Sequence, residues 1–275
     1  MSSEAGHLGH VRIVGAGQIG TAIGMALSRS GAGRSIALFD RDEGAARAGA
    51  ERIDEASILG SLEELSGADV VVLAVSVPAI IDLIEPAMRV LSAGTLLLDT
   101  GSAKVAVVDA MRRHAKQEIH VVGGHPIAGG ERRGALAADP EVLAGSTFVL
   151  TPVGDDPDGL DRACRLARSV GSRPVVMDAA EHDAAVAVAS HLPHLVAFSL
   201  AATAGPSPPL AASGFASATR LARSDPEMVA GFLWANAREV RRAAEDFHRA
   251  FGRVVQALDE GPEAVARCLM PERLT

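Results

Sequence analysis

Short apolar runs alternate with longer helical patterns through the first two-thirds of the chain. Val11 to Val14, Ser35 to Phe39, Ala68 to Val75, Thr95 to Leu98 and Ile119 to Val122 have the length and apolar content of strands, and apolar positions at helical spacing mark Ile80 to Leu91 and Lys104 to His114. Strands that alternate with helices predict a mostly parallel sheet, wound on both faces. Thr147 to Leu150 and Pro174 to Met177 add two short strands around a helix at Leu160 to Val170. Beyond Ala179 the pattern turns helical. Glu181 to Ala204 is an apolar helical run, Asp225 to Leu258 is a long amphipathic stretch, and Gly205 to Ser213, rich in Pro, Ala and Ser, reads as the loop between them. The expected organisation is α/β, with a doubly wound domain over residues 1–178 and an all-helical domain over 179–275. A helical half this apolar exceeds what one copy buries, which predicts dimerisation through that half.

The first strand runs into Val14-Gly15-Ala16-Gly17-Gln18-Ile19-Gly20 and then into a helical pattern. This order fits a dinucleotide site and makes the first domain Rossmann-type. Gly15 permits the tight turn, Gly17 lets backbone N–H groups approach a pyrophosphate, and Gly20 allows close helix–strand packing, with Gln18 and Ile19 opening the helix beneath the phosphates. The second strand ends at Asp40, twenty residues after Gly20. A carboxylate there accepts hydrogen bonds from ribose hydroxyls and favours NAD, while the adjacent Arg41 leaves room for the 2′-phosphate of NADP.

Composition narrows the class. The chain has 275 residues, 48% of them hydrophobic, enough for a sizeable core. A formal charge of −8 and the absence of a dense Lys/Arg run argue against nucleic acid as a partner. The two cysteines, Cys164 and Cys268, have neither zinc-site spacing nor disulfide density. Met1 to His10 lacks an apolar signal core, and no uninterrupted apolar run suggests a membrane span, so a cytoplasmic enzyme is expected.

Catalytic groups are expected at the carboxyl ends of the strands. Ser102, in Asp99-Thr100-Gly101-Ser102-Ala103-Lys104, reads both as the N-cap of the following helix and as a hydroxyl facing the crevice. His125 stands among glycines and a proline in Gly123-Gly124-His125-Pro126-Ile127-Ala128-Gly129-Gly130-Glu131, well placed to project into a cleft. In Ser190-His191-Leu192-Pro193-His194 two histidines share a helix face beside a proline. The nearby acids do not complete a metal ligand set, so this segment reads as a kinked helix lining a substrate pocket, with no metal.

The His125-Pro126-Ile127-Ala128-Gly129 segment with Glu131, then Leu143 to Pro152, Ser190 to His194, and Ala218-Thr219-Arg220-Leu221-Ala222-Arg223-Ser224-Asp225-Pro226 together resemble the prephenate and arogenate dehydrogenases over nearly the whole chain. The resemblance implies a nucleotide-binding sheet followed by a helical dimerisation domain. It also implies oxidation and decarboxylation of a cyclohexadienyl carboxylate with NAD or NADP, giving 4-hydroxyphenylpyruvate from prephenate or tyrosine from arogenate. His125 then corresponds to the group that takes the proton of the C4 hydroxyl, and Ser102 to the serine beside that hydroxyl and the nicotinamide. Arg220 corresponds to the arginine that binds the substrate carboxylate, His194 to a pocket histidine, and His191 to a structural residue. Gly130 and Val229 depart from the family by losing a hydroxyl and a tryptophan, and both are expected to widen the substrate pocket. Glu131 is a candidate partner for an ammonium on the substrate side chain. An alternative substrate is 4-amino-4-deoxyprephenate, in a specialised-metabolite pathway. A noncatalytic NAD-binding relative is a further alternative, disfavoured by the joint presence of His125, Ser102 and Arg220.

Overall fold

The computed structural model describes residues 7–129, 133–204 and 212–270. Eight strands form one sheet: β1 Gly9–Val14, β2 Gly33–Phe39, β3 Ser57–Ile58, β4 Val70–Leu73, β5 Leu96–Asp99, β6 His120–Pro126, β7 Thr147–Pro152 and β8 Arg173–Val176. Their order is β3-β2-β1-β4-β5-β6-β7-β8. All neighbours are parallel except β6 and β7, which pair antiparallel. Val70–Leu73 is buried at every position, as expected of a central parallel strand covered on both faces.

Helices α1 Gln18–Ser30, α2 Glu43–Ala50, α3 Val77–Val90, α4 Val105–His114 and α5 Pro157–Ser169 cover that sheet. One apolar layer joins Val11, Ile13 and Val72 to Ile23 and Leu27 of α1 and Leu166 of α5. The opposite layer joins Val71, Leu73 and Leu97 to Ile80 and Ile84 of α3 and Val107 of α4. The pattern of apolar positions did not mark α2. Its signal is the cap, since Asp42 accepts from the N–H groups of Gly44 and Ala45.

The helical half comprises α6 Ala179–Val186, a π turn at Ala187–His191, α7 Leu192–Ala204, α8 Ser213–Ala218, α9 Pro226–Ala235, α10 Ala237–Ala257 and α11 Pro262–Leu269. The amphipathic stretch expected to run unbroken from Asp225 is divided at Asn236, a buried residue whose side-chain amide donates to the Asp183 carbonyl at 2.7 Å. Most of the predicted loop, 205–211, lies outside the described residues. Val229 and Phe232 of α9 dock into the apolar layer over α3. A Cβ at Gly231 would lie 3.0 Å from Pro78 Cδ, so the two helices meet at near backbone contact.

The continuous helical stretch Ala179–Ala204 is, contrary to expectation, long and apolar enough to cross a membrane by length and composition alone. Its buried polar residues His182, Asp183 and His191 face the rest of the protein.

Candidate active site

The sheet reverses direction of winding between β1 and β4, where a crevice opens beyond the strand ends. A cavity of about 930 Å³ occupies that crevice and extends to the helical half. Gly15, Gly17, Gln18, Ile19, Asp40 and Arg41 line it at one end, and Ser102, His125, Ser190, His194 and Arg220 line it further along. The residues singled out from three distant segments thus share one cavity. Gly130 and Glu131 lie outside the described residues.

The dinucleotide end fits the group the motif implies. Gly15 has φ +106°, and a Cβ there would lie 2.3 Å from the Ala74 carbonyl oxygen. Gly20 does not line the cavity. A Cβ there would come within 2.0 Å of the Gly15 carbonyl oxygen, so its absence lets α1 seat on the turn. Gly17, by contrast, faces open space. It begins α1 with no side-chain cap, so the first N–H groups of the helix are left for an anion. The Asp40 carboxylate accepts from the Ala16 N–H at 2.9 Å and the Asp42 N–H at 3.0 Å, which holds it at the cavity edge.

The chemical end is organised by buried polar groups from both halves. His125, at the end of β6, places its Nδ1 2.9 Å from Nε2 of His182. His182 Nδ1 in turn lies 2.8 Å from Oδ1 of Asp183. Asp183 Oδ1 also accepts the Lys104 N–H at 2.7 Å, and its Oδ2 accepts the Val105 N–H at 2.9 Å. This corrects one expectation: Ser102 does not cap α4, because Asp183, 79 residues beyond Lys104, takes the donors at the helix start. Ser102 is left with its side chain at the cavity. The Lys104 ammonium is fully buried, paired with Asp99, and donates to the Gly124 carbonyl at 2.6 Å. Asp99 in turn accepts the Gly124 N–H at 2.9 Å, so the backbone beside His125 is fixed from both sides.

Burial, reinforced by His182, Lys104 and His191, holds the His125 imidazole well below its ordinary pKa, so it is a neutral base at pH 7. His191, also buried, is pushed down to about 4. It stacks on Phe232 with ring centroids 4.6 Å apart, and its Nε2 has no hydrogen-bond partner among the described residues. His194 meets the same ring edge-on, and its Nδ1 donates to the Ser190 carbonyl at 2.9 Å. Pro193 has no N–H to continue the helical ladder, and the widened turn just before it carries Ser190 and His191. Val229, expected at the substrate pocket, is instead buried against α3 and does not line the cavity.

Sequence reasoning missed His182, Asp183 and Lys104. Spacing gives no sign that a histidine 57 residues beyond His125 meets it. The available signal was three consecutive ionisable residues, Glu181, His182 and Asp183, in the first turns of a mostly apolar helix.

A dinucleotide cradle, a neutral histidine and an arginine around one interdomain cavity define a two-domain nucleotide-dependent dehydrogenase. The chain belongs to the prephenate dehydrogenase family: residues 23–176 match its nucleotide-binding domain and residues 178–268 its dimerization domain. Over 253 residues it is 29% identical to a prephenate dehydrogenase of Lactococcus lactis, covering 87% of this chain and 68% of that one. It is also 29% identical over 239 residues to a cyclohexadienyl dehydrogenase of Zymomonas mobilis, covering 83% and 81%. The crystal structure of prephenate dehydrogenase from A. aeolicus in complex with hydroxyphenyl propionate and NAD+ superposes with a TM-score of 0.83 at 30% identity, covering 98% of this chain and 96% of that one.

Proposed function

We propose that the protein catalyses the NAD-dependent oxidative decarboxylation of a cyclohexadienyl carboxylate, prephenate or arogenate. The observation that carries this reading is the neutral His125 in the same cavity as the glycine cradle and Arg220. Residues 1–178 hold the nucleotide through Gly15, Gly17, Gln18, Ile19, Gly20, Asp40 and Arg41. Residues 179–275 complete the substrate site and join two copies in a homodimer. The reaction is assigned to the cytoplasm.

When bound, NAD supplies the hydride acceptor. His125 takes the proton of the C4 hydroxyl as that carbon is oxidised to a carbonyl, with Ser102 beside the same hydroxyl. The carbonyl, conjugated with the ring, draws the electrons of the C1–carboxylate bond into the ring. Carbon dioxide leaves, and aromatisation makes the step irreversible. Arg220 holds a substrate carboxylate in the fork geometry of a guanidinium, and His194 flanks the side chain, with Gly130 and Glu131 assigned to substrate binding from the sequence alone.

The test is growth of reduced-nicotinamide absorbance with NAD and, separately, prephenate, arogenate and 4-amino-4-deoxyprephenate. A rate with either of the first two is expected. A rate with the amino compound alone would move the assignment to the specialised pathway, and silence with all three despite NAD binding would overturn it.

A further inference from the structure

We propose that His182 and Asp183 are a positioning relay that fixes the tautomer of His125, leaving Nε2 as its bare, proton-accepting nitrogen. The inference rests on His125 being the base of the reaction proposed above, and it follows from the direction of four hydrogen bonds.

Asp183 is the fixed end. Both of its oxygens accept backbone N–H groups of Lys104 and Val105, which can only donate. The carboxylate is therefore an acceptor toward His182 as well, so the His182 Nδ1 at 2.8 Å carries the hydrogen. A neutral imidazole protonated at Nδ1 presents a lone pair at Nε2. His125 Nδ1, 2.9 Å from that lone pair, must then donate its own hydrogen. The proton on His125 is thus placed at Nδ1, and Nε2 is the nitrogen left to accept from a substrate hydroxyl.

The alternative tautomer has a specific cost. With Nε2–H on His125, two lone pairs would face each other at 2.9 Å in a buried site, and the edge left for substrate would be a donor. When His125 accepts a proton, the cation it becomes still donates to His182, and His182 still donates to Asp183. The relay moves no proton. It holds the ring in one orientation and provides a dipole and a carboxylate aligned with the charge that forms.

The position of these residues adds a consequence for assembly of the site. His182 and Asp183 sit on α6, the first helix of the helical half, whereas His125, Lys104 and Val105 belong to the sheet half. Asp183 caps α4 and fixes the tautomer of the base with the same carboxylate, so docking of the two halves is what makes His125 competent.

Two substitutions separate positioning from mere packing. His182→Phe removes the acceptor while keeping a ring in the space, and His182→Gln places an amide oxygen near the former Nε2. The expected result for His182→Phe in the full-length protein is a fall in kcat of about 10–100-fold, with KM for the substrate and Kd for NAD changed less than about twofold. His182→Gln should stay within about threefold of the unsubstituted protein, because it still accepts from His125 Nδ1. Equal losses in the two variants, or an unchanged kcat in His182→Phe, would overturn the relay. Long-range nitrogen–proton correlation spectra of the imidazoles supply a readout independent of turnover and of how well the variants fold. The unsubstituted protein should show His125 with its hydrogen on Nδ1 and a bare Nε2, and hydrogen on Nε2 would refute the proposal. Should the protein prove silent with every cyclohexadienyl substrate, the proposed reaction fails while this spectrum still decides the tautomer.

Discussion

The two halves of the molecule bury their residues in opposite ways. In the sheet half, Val70–Leu73 and Leu96–Asp99 are buried at every position, and the helices on both faces close the core. In the helical half, α7 buries only Ala197, while Trp234 is 83% exposed, Leu258 65%, Val188 61% and Phe251 58%. Yet this half buries polar side chains: His182, Asp183, His191 and Asn236 are all inside. The face of the helical half turned to the sheet carries these polar groups beside the apolar Val229 and Phe232, while large apolar groups stay exposed elsewhere on it. Large apolar groups left open on a half that matches a dimerization domain are the kind of surface that association of chains covers.

The sharpest way to break this comparison is to remove the chemical group from the sheet half. His125→Asn should lower kcat by about two to four orders of magnitude while leaving NAD affinity unchanged, as expected for loss of a positioned base. Steady-state rates with nicotinamide absorbance, alongside NAD titration by fluorescence, check it. An unchanged kcat would put the chemistry elsewhere. Next in size is a charge on the open face. Phe251, stacked on Phe247 on α10, is exposed in one copy. Phe251→Asp should weaken self-association by about a hundredfold or more, since an unpaired carboxylate in a covered apolar surface loses its hydration. Light scattering would then report monomers at micromolar concentration, and dimers of undiminished strength would show that this face is not the one covered.

Acid should act on the buried histidines that lie where the two halves meet. His191 is neutral inside the protein with its pKa pushed down to about 4 by burial, against an ordinary value of 6.5. Between those values the unfolded chain binds a proton that the folded one refuses, so stability falls as pH drops from about 6.5 toward 4, by up to about 3 kcal/mol. His125, lowered for the same reason, adds in the same direction. Urea midpoints at pH 7 and pH 5 measure the loss, and His191→Gln should flatten it. A slope unaffected by that substitution would exclude His191 as its source.

How much of this was legible in the sequence differs between the halves for a physical reason. Parallel strands announce themselves as apolar runs, and the glycine turn at Gly15 to Gly20 is a local feature, so the sheet, its winding and the dinucleotide end follow from short windows. His125 was legible because its glycine and proline neighbours exclude a core role. The relay behind it was not, because the contact between His125 and His182 is made by docking of two domains and leaves no periodic trace. Ser102 shows the same limit from the other side. Its place before a helix made it a reasonable local cap, but the donors it would have satisfied are taken by Asp183, brought from the helical half by the tertiary fold. Likewise the break at Asn236 interrupts an amphipathic pattern that runs through it, since a buried side-chain hydrogen bond to the Asp183 carbonyl determines where one helix stops.

The smallest effect expected tests the part of the site that the sheet half builds alone. Asp40 is held at the end of β2 by the Ala16 and Asp42 N–H groups, so its carboxylate cannot swing away from the cavity edge to avoid an approaching phosphate. A ribose 2′-hydroxyl donates to it, whereas a 2′-phosphate meets a like charge, with Arg41 on the same rim as an offset. Asp40→Ala removes the repulsion and the hydroxyl's acceptor together. The preference for NAD over NADP in kcat/KM should therefore narrow by about tenfold, with kcat on NAD little changed, because the reacting ring lies at the other end of the nucleotide. An unaltered ratio would show that Asp40 serves only to tie β2 to the glycine turn. In that case selectivity would rest on Arg41, and the division between a self-sufficient nucleotide end and a chemical end shared between the halves would have to be redrawn.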